Sequence, residues 1–317
     1  DVYKRQRRRP AGGSTANGVP FFMIVFCGYG NSDLTVNVPV LPGAGDRVQA
    51  LGIERHDGGM GANVAAAAAR MGADARFAGV VGPDALSTAF LDALGADGVD
   101  VAWTSRRGRL TTALILVTPD GERSIISEDD DVTADHVAAV VRRCAEAGGG
   151  WLYLDGYRFP WAADLLDGAT GVRTVVDLDG CEDPDAARAA LTVAEHTVIG
   201  RIQAERLLGR DLAAVAAKHR THLLVTDGAR GWTLHTPTGA TQSGAAIDVR
   251  VRDATGAGDC FVGCYLAELD RGAEPAAAAA FAAVAAGLSC TGPGARESQP
   301  HRAEVTAYLT RTAPASV

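Results

Sequence analysis

The stretch RDATGAGDCFVG, residues 252–263, places three small residues, Gly256, Ala257 and Gly258, directly before an acid, Asp259, and then enters an apolar helix. A turn this bare offers its backbone N–H groups. A helix that begins there aims unpaired amides and the positive end of its dipole at the loop. Small residues let an anion reach those amides. A carboxylate would repel a bound phosphate on contact, so Asp259 is better placed one atom further out, against a hydroxyl about to attack that phosphate. That is general-base chemistry for phosphoryl transfer to an alcohol. The plainer alternative is an ordinary helix start whose acid merely favours the dipole.

Other residues narrow the mechanism. The chain has two lysines, Lys4 and Lys218, and no GxxxxGK, which excludes a Walker-A loop. No HRD motif or strand lysine suggests a protein kinase. Backbone amides and arginine must then neutralise phosphate. The stretch CGYGNSD, residues 27–33, reads GxGxxD rather than GxGxxG, against a dinucleotide fingerprint.

Those groups need elements to hold them. FFMIVFCG, from Phe21, is a continuous apolar run of buried-strand length. Residues 61–71 form a small-residue helix, ARFAGVVG a strand and residues 84–98 a helix. Helices over 133–147, near 160–168, over 184–193 and over 202–218 then alternate with the strands WLYLD, RTVVDLD, HTVIG and HLLVTDG. This rhythm predicts an α/β fold, a doubly wound, mostly parallel sheet flanked by helices. Two β-rich segments, near 34–57 and 111–127, break the rhythm and predict a small separate β-sheet lid; the second is a hairpin around Asp120-Gly121. Ligands bind beyond the carboxyl ends of such strands, which selects the loops 28–33, 58–63, 155–158, 226–231 and 253–259.

Bulk composition agrees. The 317 residues carry a net charge of −8 with a basic stretch at the start, so the body is acidic and nucleic-acid binding is not expected. Residues 1–20 read as a disordered, artefactual leader and 21–312 as one domain. The six cysteines are scattered and read as reduced thiols, consistent with a cytoplasmic protein. No apolar run suits a membrane span.

DATGAGDCFVG resembles the carboxyl-terminal signature of the ribokinase-like (PfkB) carbohydrate kinases, and GGMGANVAAAAARMGADARFAGVVGPD their amino-terminal one. The resemblance spans residues 22–312 and implies an ATP-dependent kinase acting on a sugar or sugar derivative. It implies Asp259 as base and Gly256, Ala257 and Gly258 as the anion hole. VTDGARG resembles the nucleotide loop, giving Thr226, Gly228 and Gly231 to ATP, with residues 275–290 beside them. GYGNSD resembles the first sugar loop, giving Asn31 and Asp33, with Gly59 and Asn63 as further sugar contacts. Asp253, Thr255, Cys290 and Gly294 resemble a monovalent-cation site for K⁺. A homodimer through the lid is implied by analogy.

Departures limit the resemblance. Met60 stands where many sugar kinases have a lysine, and Ala254 is unusual. The family's NxxE aligns with GRIQAERLLG, so Gly200 and Gln203 replace Asn and Glu. Mg²⁺ must then rely on water, ATP and acids such as Asp177 or Asp179. YLDGYRFPW and LSCTGPGARESQP are similar to the sulfofructose kinase branch, which implies that Arg158 grips an anionic sugar tail, with Arg47 a weaker candidate. Three alternatives stay open: an anionic-ketose kinase, a nucleoside kinase, and a non-catalytic sugar-binding relative.

Overall fold

Successive residues of β1 (Met23–Cys27) point to opposite sides of a sheet and both sides are buried, as its unbroken apolar run requires. Ile24 and Phe26 join one apolar cluster; Val25 and Cys27 join the other. The computed structural model describes residues 22–120, 122–166, 169 and 171–312. The expected leader, Phe21 and the hairpin's Gly121 lie outside them.

From β1 the chain runs through β2 (Asn31–Asn37), β3 (Gly52–Gly58), α1 (Met60–Arg70), β4 (Asp74–Phe77), α2 (Ala85–Ala96), β5 (Thr111–Val117) and β6 (Arg123–Ser127). It continues with α3 (Ala134–Glu146), β7 (Gly150–Asp155), α4 (Phe159–Leu166), β8 (Val172–Asp177), α5 (Pro184–Val193) and β9 (His196–Gly200). Next come α6 (Arg201–Leu208), α7 (Leu212–His219), β10 (His222–Thr226), β11 (Trp232–His235) and β12 (Thr241–Gly244). The described chain closes with α8 (Ala257–Asp270), α9 (Pro275–Ser289) and α10 (Arg302–Thr312).

The main sheet has eight strands in the order β12-β11-β10-β9-β8-β7-β1-β4. Its pairs from β4 to β10 are parallel; β11 and β12 add antiparallel strands at one edge. Helices α1, α8 and α9 cover one face and α3 to α7 the other. A second sheet, β3-β2-β5-β6, is the expected lid. No helix of the described residues is long and apolar enough to cross a membrane, and the six cysteines are all free thiols.

Four boundaries differ from expectation. Asn31 and Asp33 sit on the first lid strand rather than in a loop, because β2 begins immediately after Gly30. The helix expected over 202–218 is two: Gly209, at φ 89°, ends α6, and the Asp211 side chain caps α7 on the Ala214 amide. ARFAGVVG yields only the short β4, after which Val80 makes an isolated bridge to Ser105. The antiparallel β11–β12 edge was not foreseen in WTLHTPTGATQSG.

The packing of α1 on α8 sets the site. A Cβ on Gly263 would run into the Val64 carbonyl and Ala67 Cβ, so glycine there lets α8 lie close against the alanine-rich α1. That approach brings Asn63, near the start of α1, to Asp259, near the start of α8.

Candidate active site

The start of α8 is built as the sequence implied. Gly256 caps it at φ 72°, and a Cβ there would stand 2.7 Å from the Ala295 carbonyl oxygen, so the position needs glycine. The Cys260 amide makes the first intrahelical bond, 2.8 Å to the Gly256 carbonyl. The Ala257 amide turns back to the Ala254 carbonyl at 3.2 Å. The first-turn amides of Gly258 and Asp259 therefore remain as the natural donors to an anion.

Two cavities meet at this turn. One, of about 880 Å³, lies under the lid and is lined by Asn31, Asp33, Gly59, Asn63, Arg158, Gly256 and Asp259. The other, of about 530 Å³, is lined by Thr226, Gly228, Gly231, Ala257, Gly258 and Cys290. Asn31, Asp33, Gly59, Asn63 and Arg158 thus come together in the first cavity, and Thr226, Gly228 and Gly231 in the second. Gly256 and Asp259 face the lid side, while Ala257 and Gly258 face the other. Arg47 is exposed and away from both.

Asp259 retains some solvent contact at the cavity floor but is surrounded by protein. Burial raises its carboxyl to about 7; the Asn63 amide opposes this, and the charges of Asp179, Asp155 and Asp33 add to it. A base with that value is half ionised near neutral pH. Asn63 Nδ2 donates to Asp259 Oδ2 at 2.8 Å, so the residue expected to touch sugar also holds the carboxylate. Below lies fully buried Asp155, at the end of β7; burial raises it to about 6, and its Oδ1 accepts the Tyr157 and Arg158 amides at 3.1 and 3.0 Å.

Asn31 Nδ2 donates to Asp33 Oδ1 at 2.9 Å, fixing the pair as a unit, while burial raises the Asp33 carboxyl. Gly59, at φ 95°, packs where a Cβ would strike the backbone of Gly30 and Asn31. Arg158 lies in the cavity wall, but its guanidinium is paired with Asp130 and stands over Tyr29, Tyr157 and Trp161 at 5.9, 5.9 and 5.5 Å. Sequence reasoning missed Asp130 and these three rings. It also missed Ile247 and Val249, which form apolar walls of the second cavity with Gly287 of the expected 275–290 segment.

Magnesium fits only as an ion carried by the nucleotide. Gln203 Nε2 is spent on the Leu178 and Cys181 carbonyls at 2.9 and 2.6 Å. Asp177 is buried and its carboxyl is pushed well above the usual range by that burial, whereas Asp179 lines the cavity under the lid. Among the described residues no three His, Cys, Asp or Glu side chains are grouped to hold a metal.

The expected monovalent-cation residues do come together, yet their oxygens are committed. Asp253 Oδ1 accepts the Thr255 amide at 3.0 Å and hydroxyl at 2.6 Å, and Oδ2 accepts the Gly294 amide at 3.1 Å. The Cys290 carbonyl accepts the Arg252 and Asp253 amides at 2.8 and 3.2 Å, and the Gly294 carbonyl accepts the Ser298 hydroxyl at 3.1 Å. These residues do not fit K⁺ as arranged.

Comparison with known proteins gives a consistent picture. The family model described as pfkB family carbohydrate kinase matches residues 22–149 and 172–302. The ribokinase of Bacillus subtilis is 28% identical over 87% of this chain and 96% of its own length. The ATP-dependent ribose-1-phosphate kinase of Halopiger xanaduensis is 29% identical over 90% of this chain and 97% of its own. The structure of Arabidopsis thaliana ribokinase complexed with ribose and ATP superposes with a TM-score of 0.78 at 25% identity, covering 91% of this chain and 98% of that one.

Proposed function

This chain belongs to the pfkB family of carbohydrate kinases, phosphotransferases with an alcohol acceptor, and from that premise we propose that it moves the γ-phosphoryl group of ATP to a hydroxyl of a neutral monosaccharide, with Asp259 as the base. The observation that carries this reading is the first turn of α8 standing as the shared wall of the two cavities, with the carboxylate on one side and small residues on the other.

In this mechanism the acceptor lies under the lid, its hydroxyls on Asn31 and Asp33. ATP lies along Thr226, Gly228 and Gly231, and Mg²⁺ carried by the nucleotide would neutralise its phosphates. Asp259 accepts the proton of the attacking hydroxyl while the amides of Gly258 and Asp259 receive the transferring group. The lid excludes water from the reacting atoms. Leu51, Ile53 and Ile126, exposed on the lid, support a homodimer through that sheet.

Charge favours a neutral acceptor over an anionic one. Asp33, Glu128, Asp129, Asp130, Asp179 and Asp259 line the cavity against the single cation Arg158, which Asp130 already neutralises. A sulfonate or phosphate tail would have to displace Asp130 and enter a negative field. A second reading, a nucleoside acceptor, is favoured by Tyr29, Tyr157 and Trp161, whose rings suit stacking on a base.

An ADP-release screen over neutral sugars, sugar phosphates, sulfonated sugars and nucleosides tests the choice. Turnover is expected with a neutral sugar. Preference for inosine or adenosine selects the second reading. Preference for an anionic sugar, lost in Arg158→Ala, overturns the charge argument. Sugar binding without any ADP release overturns catalysis itself.

A further inference from the structure

A guanidinium from the lid stands beside the loop that precedes α8. Arg123 opens β6, on the same face of the strand as Ile125 and Ser127, both of which line the acceptor cavity. Its guanidinium reaches across to the loop before α8: Nη1 stands 3.3 Å from the Thr255 hydroxyl and Nη2 3.8 Å from Asp253 Oδ1. Thr255 itself lines the cavity beside Gly256.

Counting lone pairs decides what occupies this spot. A carboxylate offers about four acceptor positions. At Asp253, both positions of Oδ1 are taken by the Thr255 amide and hydroxyl, with the Arg123 guanidinium 3.8 Å from that same oxygen, and Oδ2 accepts the Gly294 amide and keeps one position. A carbonyl offers two, and both are taken at Cys290. The residues that the sequence assigned to K⁺ hold little to offer it, and a fixed positive charge is already present.

We infer that Arg123 takes the place of a bound monovalent cation, so that the 253–258 loop acquires its positive neighbour only when the lid is closed over the acceptor, and the protein has no potassium requirement. This rests on the kinase reading above. Arg123 is a positioning residue: it acts on transfer through the loop that presents the Gly258 and Asp259 amides.

The test measures ADP release and thermal midpoint at constant ionic strength in potassium, sodium or tetramethylammonium chloride, for the wild type, Arg123→Met and Arg123→Lys. The wild type is expected to show equal rates and equal midpoints in the three salts, because an ion that does not bind the folded state cannot stabilise it. Arg123→Met should lose about tenfold in kcat, within the range of coupling between linked sites, with little change in acceptor KM. Added guanidinium should restore part of that loss, and Arg123→Lys should retain part of the rate. Potassium activation of the wild type by about fivefold or more, a potassium-specific rise in its midpoint, or wild-type kcat in Arg123→Met would each overturn the inference. Should the wild type release no ADP with any acceptor, the kinase reading fails, and the midpoints alone still decide whether potassium binds.

Discussion

Asn63→Ala isolates the proton-accepting role of Asp259 without touching its carboxylate. The substitution removes the Nδ2 donor that stands 2.8 Å from Asp259 Oδ2. A hydrogen bond to a charged group contributes about 1.5–3 kcal/mol, and one pH unit corresponds to about 1.4 kcal/mol. Solvent contact at the cavity floor lowers the effect to about one pH unit. The Asp259 carboxyl, now at about 7, therefore moves to about 8 in the variant. At pH 7 the ionised fraction drops from about one half to about one tenth, a loss of about fivefold in kcat/KM. The assay is kcat/KM for the acceptor from pH 5.5 to 9.5 at saturating Mg-ATP. The acid limb should shift upward by about one pH unit while the alkaline plateau stays within about twofold. A limb that does not move refutes the reasoning, and so does a plateau that falls as far as the rate at pH 7. In the latter case Asn63 serves the acceptor and not the base.

Other perturbations follow from the same geometry. Gly287→Ala should favour helix α9 intrinsically by about 1 kcal/mol, yet its Cβ would enter the side chain of Ile247 across the nucleotide cavity. The KM for ATP should rise about fivefold from that overpacking, with acceptor KM unchanged in initial-rate assays. Asp259→Asn should raise thermal stability at neutral and alkaline pH. The folded-state carboxyl stands at about 7, above its ordinary 3.8. Its stabilising share is therefore complete below 3.8 and is lost as pH rises through 7, so the variant's advantage is absent near pH 4 and levels off above 7. Scanning fluorimetry of both proteins across that range reads the gap.

The sequence-based reading was most informative where chemistry and periodicity are local. Unbroken apolar runs identified the buried parallel strands, since burial on both faces removes the usual alternation. The small residues before Asp259 identified the turn at the start of α8, because only bare backbone suits it. What stayed hidden depends on contacts between distant parts of the chain. Asn63 and Asp259 are 196 positions apart, and nothing in either motif says that one amide restrains the other. Whether Arg158 grips an anion or pairs within the protein is open from the sequence, because its partner, Asp130, comes from a return segment after the lid. Arg123 was invisible for the same reason. Asn31 and Asp33 were expected in a loop, whereas pairing with β3 and β5 makes them strand residues. The β11–β12 edge lay outside the βα rhythm that guided the rest.

The most direct measurement compares turnover of the wild type and Asp259→Asn on the best acceptor at pH 8, with melting curves confirming that both are folded. A lost base should lower kcat by about 10²- to 10⁴-fold while ATP binding persists. A folded Asp259→Asn protein that turns over within about twofold of wild type would contradict proton abstraction by this carboxylate.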